Sequence, residues 1–238
     1  MARNRKPTPT KAVIIKIASE LFFENGFLGT TSTEICKKAE ISPGNLTFYF
    51  PSKEHILAVL VNMMCDFQWR EMERETDEGR SSLLAYCLEL TTMVAISEEN
   101  PQMREFMLAG YSHPMTLDII RANDVDKIKQ VFSEYTKDWD DEKFIEIEAI
   151  ISGIEYGTLM CTAHSASVEH RIEGALNTIM MLFGVPEDVR KTKLGKVLAM
   201  DYLAIGQRVY ESFKQYVTET NEHALEEVLK QTKIKNYK

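Results

Sequence analysis

The stretch from Thr31 to Lys53, TSTEICKKAEISPGNLTFYFPSK, constrains the fold of this chain more than any other segment. Thr31 and Glu34 have the capping-box spacing, in which two side chains satisfy free backbone N–H groups at the start of a helix. Further along, Ser42 is suited to cap a second helix, and Pro43 takes its first position, where a missing N–H group costs nothing. Two short helices joined by a tight turn form a helix-turn-helix.

The second of these helices carries small or polar side chains on the side away from Leu46. Such a helix can enter the major groove of DNA, where Asn45 offers a donor and an acceptor to an adenine edge. Lys53 lies in the first turn of the next helix, beside free N–H groups that suit a phosphate. The candidate DNA contacts are Thr31, Ser42, Pro43, Gly44, Asn45, Thr47, Tyr49 and Lys53. Three packed helices without a DNA role are the alternative.

These residues resemble the TetR-type bacterial transcriptional regulators, whose pattern is roughly T-T-x-x-x-I-A-x-x-A-G-V-S-x-G-x-L-Y-x-Y-F-x-x-K-E-x-L. The matching positions are Thr30, Thr31, Ile35, Ala39, Ser42, Gly44, Leu46, Tyr49, Phe50, Lys53, Glu54 and Leu57. The sequence departs from the pattern at Cys36 for alanine, Glu40 for the turn glycine, Ile41 for valine and Thr47 for tyrosine. In the family, the aromatic residue at the position of Thr47 tends to meet backbone phosphate. We therefore expect a shorter hydroxyl contact there, or none.

The resemblance implies an all-α fold, with an N-terminal three-helix helix-turn-helix DNA-binding domain joined to a larger helical domain for ligand binding and dimerisation. We place the first domain at residues 1–53 and the second at residues 54–238. The implied function is a ligand-responsive transcriptional regulator, in this family most often a repressor. Such a protein binds a palindromic operator as a homodimer and is released by a small-molecule effector. The alternatives are an all-α protein-interaction module without operator function and a nucleoid-type protein without sequence choice.

Charge is unevenly distributed along the chain. The net charge is −8 overall, but residues 1–53 hold eight Lys and Arg against four Glu, which leaves −12 on the remainder. A basic head on an acidic body fits a protein that contacts DNA with one end. The N-terminal arm, with Arg3, Arg5 and Lys6, can reach a minor groove or remain a solvated tail. A basic tail at the C-terminus is expected to be solvated.

The sequence shows no arrangement typical of an enzyme or of a metal site. The five histidines are not grouped with a nucleophile, and there is no glycine-rich phosphate loop. His164 and His170 are six residues apart, a spacing that does not place them on one helical face for a metal. The four cysteines have no metal-binding spacing, so we expect buried free thiols. We expect no catalytic residue, no metal and no cofactor.

No secretory leader and no long apolar run is visible, so we expect a soluble, cytoplasmic protein without a membrane partner.

Beyond Gly79 the apolar spacing stays helical, without the alternation of a strand. One of these helices is predicted to run from Met115 to about Lys137. A long helix from Ser52 begins in the head and ends in the body. We expect it to be the one element that transmits a change between them.

The resemblance implies an effector pocket between this long helix and the helices after it. Methionine and aromatic side chains give a pliable apolar wall, although most of them at helical spacing fill a core. The candidate lining residues are Met64, Phe67, Phe106, Met107, Tyr111, Phe132, Glu155, Tyr156, Met160 and His164. Of these, Glu155, Tyr156 and His164 are the polar groups that would orient a ligand.

Two later segments have few charged residues and predict a packed helix pair. Gly153 and Gly157, four residues apart, make sense if another helix approaches closely along that edge. The resemblance implies that two copies of the pair form a four-helix dimer interface, while a contact within one chain is the alternative. The candidate interface residues are Gly153, Gly157, Leu176, Ile179, Met180 and Phe183.

Overall fold

The computed structural model describes residues 10–76, 78 and 82–232, and within these ranges all regular structure is helical. In chain order the helices are α1 (Lys11–Asn25), α2 (Ser32–Lys38), α3 (Pro43–Tyr49), α4 (Lys53–Thr76), α5 (Leu83–Glu99), α6 (Pro101–Ser112), α7 (Pro114–Val131), α8 (Asp141–Leu159), α9 (Val168–Leu182), α10 (Glu187–Leu198), α11 (Tyr202–Glu219) and α12 (Glu222–Gln231). The predicted all-α fold is confirmed.

Side-chain caps mark the starts of α1 and α6. Thr10 accepts a hydrogen bond from the N–H of Val13, and Asn100 accepts one from Met103 just before Pro101 opens α6. The helix predicted from Met115 to about Lys137 is shorter than expected, because α7 ends at Val131. Phe132 leaves the helix there, and its ring centroid lies 3.7 Å from that of Phe183.

Helix α5 lies at the centre of the body and contacts α4, α6, α8, α9, α10 and α11. Every residue from 83 to 97 is buried except Glu89, which is partly exposed. A helix that is apolar on all sides is stable only when other helices cover it. The one charged residue in this buried run therefore marks a place where the packing around α5 is interrupted.

The head, α1–α3, is joined to the body by more than one route. Helix α4 crosses from one to the other, and α1 packs against α6, α11 and α12. The ring of Phe23 on α1 lies 5.9 Å from that of Phe106 and 5.8 Å from that of Tyr210. The head therefore contacts the body through α1 as well as α4, because partly buried Phe23 packs against body side chains, and the transmission of a change through α4 stays a prediction.

The proposed domain division after residue 53 falls in the first turn of α4. None of the helices in the described ranges is both long enough and apolar enough to cross a lipid bilayer.

Candidate DNA interface and ligand cavity

Helix α3 exposes nearly its whole surface. The hydroxyl of Ser42 accepts a hydrogen bond from the N–H of Asn45 at 3.2 Å, and Pro43 occupies the first turn, as the sequence predicted. Leu46 is buried against the head and fixes the helix in place. The residues left exposed are Ser42, Pro43, Gly44, Asn45, Thr47 and Phe48. This bare face is the geometry that a groove-binding helix requires.

Thr31 holds the start of α2. Its hydroxyl accepts from the N–H of Glu34 at 3.2 Å, and its own N–H donates to the Glu34 carboxylate at 2.7 Å. The backbone N–H and the hydroxyl of Thr31 both donate to the Glu34 carboxylate, and these two hydrogen bonds lower its pKa. The predicted capping box is confirmed, and it orients α2 against the turn that leads into α3.

The turn between α2 and α3 is strained at Glu40. Its φ angle is 54°, in the left-handed region, at the position where the family pattern has glycine. This conformation costs a residue with a Cβ about 1–2 kcal/mol. The departure from the pattern therefore has a physical cost, although the turn keeps its shape.

The family pattern has an aromatic residue at the position of Thr47, whereas this chain has its exposed aromatic residue at the next position, Phe48. The hydroxyl of Thr47 donates to the carbonyl of Pro43 at 2.9 Å, within the helix. Phe48 is 83% exposed, and its ring contacts that of half-buried Tyr49 at a centroid distance of 5.4 Å. The sequence interpretation omitted Phe48. Its spacing of three residues from Asn45, which places both on one helical side, is the signal that would have found it.

Lys53 does not have the free ammonium group that the sequence suggested. Its Nζ donates to the carbonyl oxygens of Phe27 at 2.7 Å and Thr30 at 2.9 Å, and it lies 4.3 Å from the centre of the Phe27 ring. The carboxylate of Glu105 on α6 accepts from the N–H of Leu28 in the same loop. We call residues 26–30 the head loop. Lys53 on α4 and Glu105 on α6 both bind this loop. Contact of Lys53 with phosphate stays a prediction.

The other basic residues of the head differ in whether their charge is free to contact DNA. Lys38 pairs with Glu20 on α1 at 3.0 Å, while Lys37 is exposed in the last turn of α2. The predicted arm residues Arg3, Arg5 and Lys6 lie outside the described residues, as do the lysines of the basic tail after residue 232.

A cavity of about 60 Å³ lies in the body between α4, α5, α6, α7 and α8. Its apolar wall consists of Val61, Met64, Leu90, Met93, Phe106, Met107 and Ile120. Its polar wall holds Cys65, Gln68, Tyr86, Glu89, Tyr111, Asp124, Lys127 and Glu155. The cavity is therefore apolar over most of its surface, with ionisable groups gathered on the remainder.

Two polar groupings line this cavity. The Nζ of Lys127 lies 2.8 Å from a carboxylate oxygen of Glu89 and 2.9 Å from one of Asp124. The hydroxyl of Tyr111 donates to Glu155 at 2.8 Å. Burial raises the pKa of Glu155 well above its usual value, and the nearby carboxylate of Asp124 raises it further. Burial also raises the pKa of Glu89, although Lys127 opposes this.

Residues 14–60 match the sequence model of the family described as bacterial regulatory proteins, tetR family. This segment is similar to the tetR family. The predicted resemblance is thus confirmed for the part of the chain that carried it.

Relatives are similar over limited lengths. The chain is 35% identical over 86 residues to the HTH-type transcriptional regulator QacR of Staphylococcus aureus, across 34% of this chain and 46% of QacR. It is 31% identical over 107 residues to the uncharacterized HTH-type transcriptional regulator YuxN of Bacillus subtilis, across 45% of this chain and 37% of YuxN. The chain therefore spans less than half the length of each of these relatives. The solved structure of Salmonella enterica GusR aligns with a TM-score of 0.44 at 25% identity, over 77% of this chain and 98% of that chain.

The structure brings together half of the residues predicted to line a pocket behind the tetR-family domain. Met64, Phe106, Met107, Tyr111 and Glu155 all face the cavity. Their role in binding an effector stays a prediction. The sequence interpretation missed Tyr86, Glu89, Asp124 and Lys127, of which Glu89 had a visible signal, a lone charge inside a long apolar helix.

The other five predicted lining residues do not face the cavity. Phe67 stacks on Tyr216 at a centroid distance of 5.1 Å, and Phe132 stacks on Phe183, so both fill the core. Met160 and His164 are exposed because α8 ends at Leu159. Tyr156 follows Glu155 directly, and one residue along a helix turns the side chain about 100° away. The prediction for these residues is wrong for this cavity.

The predicted dimer residues separate into two groups. Leu176, Ile179, Met180 and Phe183 are at most 1% exposed, because α9 packs its apolar side on α5, α8 and α10 of its own chain. Their assignment to an interface is wrong. Gly153 and Gly157 are exposed, and a Cβ built at either would meet no atom within 4 Å.

Proposed function

We propose that this chain is a ligand-responsive transcriptional regulator, acting as a homodimeric repressor on a palindromic operator in the cytoplasm. The observation that carries the proposal is the exposed face of α3 within a tetR-family domain. The helix packs on the head through buried Leu46 and half-buried Tyr49, while the small residues at its start stay exposed. Its face is therefore available to a groove.

In the proposed complex, α3 enters the major groove. Asn45 pairs with an adenine edge, and Phe48 contacts a thymine methyl group, the apolar feature of that groove. Exposed Lys37 lies close enough in sequence to the start of α3 to meet the adjacent phosphates. Thr47, whose hydroxyl is already bonded inside the helix, contributes less than the aromatic residue of the family pattern.

The exposed sides of α8 and α9 support the proposed dimer. Ile150, Gly153 and Gly157 lie along one edge of α8 at helical spacing, and Ile150 is 45% exposed. Gly174 and Met181 lie along α9, and Met181 is 55% exposed. Two copies that pair through these edges bury the exposed apolar groups and place two heads for half-sites about 34 Å apart.

Effector release is proposed to act through the two helices that hold the head loop. Helix α6 carries Phe106 and Met107 in the cavity wall, directly after Glu105, whose carboxylate holds the head loop. Helix α4 carries Met64 in the same wall and Lys53 at its start. A ligand that fits the cavity better in one arrangement of α4 and α6 shifts the head toward that arrangement.

The proposal is tested by competition gel shift with the full chain at stated salt. Duplex from upstream of its own gene is challenged with unlabelled specific or random duplex. We expect random duplex to compete at least about a thousandfold more weakly, the usual lower bound for specific binding. Equal competition would indicate a protein without sequence choice, and absence of any shift would remove the DNA role.

A further inference from the structure

The ionisable groups around the cavity are unbalanced. Three carboxylates line it, those of Glu89, Asp124 and Glu155, against one ammonium group, that of Lys127. Lys127 is within 3 Å of Glu89 and Asp124. Glu155 is 7% exposed and forms no ion pair with a cation of the described residues; its hydrogen bond is from Tyr111. The cavity therefore has an excess of carboxylates.

A second observation is the hydroxyl of Tyr86. This side chain is 5% exposed and lines the same cavity, and its oxygen has no hydrogen-bond partner among the described residues. A buried hydroxyl without a partner is uncommon, because it loses its bonds to water without replacement. A polar group of a ligand inside the cavity would supply the missing partner.

We propose that this cavity, the effector site of the function proposed above, binds a small organic cation with an apolar shell. Its positive centre lies beside Glu155, among the aromatic side chains of Tyr86, Tyr111 and Phe106 that line the cavity. Aromatic faces attract ammonium groups that have left water. The apolar shell contacts the methionine side chains of Met64, Met93 and Met107, which can move to enlarge a cavity of about 60 Å³.

The charge of the site argues against the other classes of ligand. An anion would face three carboxylates, and the one ammonium group there is already bonded to two of them. A neutral ligand would leave Glu89 and Asp124 with the single counter-charge of Lys127, and it would gain no electrostatic attraction from Glu155. A single positive charge is complementary to the arrangement that the lining residues already have.

The ionisation of Glu155 gives a second, independent way to recognise cation binding in the cavity. In the empty cavity its raised pKa favours the protonated form, whereas an adjacent cation favours the carboxylate. Binding then releases a proton, so the affinity for a cation rises with pH. The titratable and charged groups around it are Cys65 on α4, Tyr86 and Glu89 on α5, Tyr111 on α6, and Asp124 and Lys127 on α7. These groups surround the cavity whichever probe is used. A neutral probe of the same size therefore controls for any pH effect that does not depend on the charge of the probe.

The test uses the full-length protein without DNA and three probes of similar size: tetramethylammonium, tert-butanol and pivalate. None of them titrates above pH 6, so pH dependence reports on the protein. Binding is followed by ligand-detected NMR, with labelled methionine methyl groups to locate it at Met64, Met93 and Met107. We expect tetramethylammonium to bind at least about tenfold more tightly than tert-butanol at high pH, with a smaller preference at low pH.

The variant Glu155→Gln should remove both the preference for tetramethylammonium over tert-butanol and the pH dependence of that preference. The matched control is Glu148→Gln, which changes a carboxylate that is 1% exposed on the same helix but does not line the cavity. It should keep the preference. If Glu155→Gln does not fold, the pH series on the unmodified protein still tests the role of this carboxylate.

The proposal is overturned if tert-butanol binds as tightly as the cation, if pivalate binds more tightly than either, if none of the three binds, or if Glu155→Gln keeps the preference. Because DNA is absent, such a failure leaves operator binding untouched. Conversely, a protein that binds the cation but fails the gel shift would keep this inference about the cavity and lose the regulatory role.

Discussion

Replacement of Lys53 by methionine separates two roles for this residue. The change keeps an unbranched side chain of similar length and removes the ammonium group. In the structure that group donates to the carbonyls of Phe27 and Thr30 at 2.7 and 2.9 Å and lies over the Phe27 ring. Phe27 and Thr30 are 5% and 0% exposed, so the freed carbonyls gain little access to water.

The expected cost can be estimated from these contacts. A hydrogen bond from a charged donor contributes about 1.5–3 kcal/mol, and a cation over an aromatic ring about 0.5–1 kcal/mol. Because Lys53 is half-buried and its charge is partly screened, we expect Lys53→Met to lower the free energy of unfolding by about 2–3 kcal/mol in total. Urea unfolding followed by circular dichroism measures it.

The control is Lys191→Met, an exposed lysine of α10 whose ion pair with Glu187 is on the surface. It should change stability by less than about 0.5 kcal/mol. If Lys53→Met also costs less than about 0.5 kcal/mol, Lys53 does not hold the head loop. If instead the slope of log affinity for DNA against log salt falls by about 0.9 for each contact removed, with stability unchanged, the lysine binds phosphate.

Four further predictions concern separate parts of the chain. Glu40→Gly should raise the free energy of unfolding by about 1 kcal/mol, because glycine relieves the positive φ angle of 54°, whereas Glu40→Ala should give no gain in the same urea titration. Phe48→Ala should leave stability within about 0.5 kcal/mol and weaken the preference for thymine at one position of each half-site, measured by binding to single-base variants of the operator. Ile150→Glu should give a folded monomer by light scattering after size exclusion; a dimer that persists would exclude the edge of α8 from the interface. Burial raises the pKa of Glu148 from 4.5 to about 8. Stability should therefore fall as pH rises from about 4.5 to 8, because the unfolded chain loses this proton first, and Glu148→Gln should flatten that fall, at about 1.4 kcal/mol for each unit of pKa shift.

Local sequence patterns predicted the head well. The capping box of Thr31 and Glu34 and the start of α3 at Ser42 and Pro43 depend on residues at most three apart, so the sequence alone displays them. The contacts of Lys53 could not be found in that way. Its partners lie 23 and 26 residues earlier, in a loop without regular spacing.

The cavity was predicted less completely, since its polar groups come from separate helices. Glu89 on α5 and Lys127 on α7 are 38 residues apart, and nothing in their spacing indicates that they meet. Residue type alone selected Phe67 and Phe132 for the pocket, but aromatic side chains of the core and of a cavity wall look alike in sequence. The apolar side of α9 raised the same ambiguity, and the protomer's own core buries it.

The central claim is that the exposed face of α3 reads bases. It is tested most directly by selecting binding sites from random duplex with the unmodified chain and with Asn45→Ala, at two salt concentrations. We predict that the unmodified chain selects two inverted half-sites with centres about 10–10.5 base pairs, or a multiple of this, apart. Asn45→Ala should lose the preference for adenine at one position per half-site and keep its salt dependence. Selection of identical sites by the two proteins, or of no common site by either, would contradict the claim.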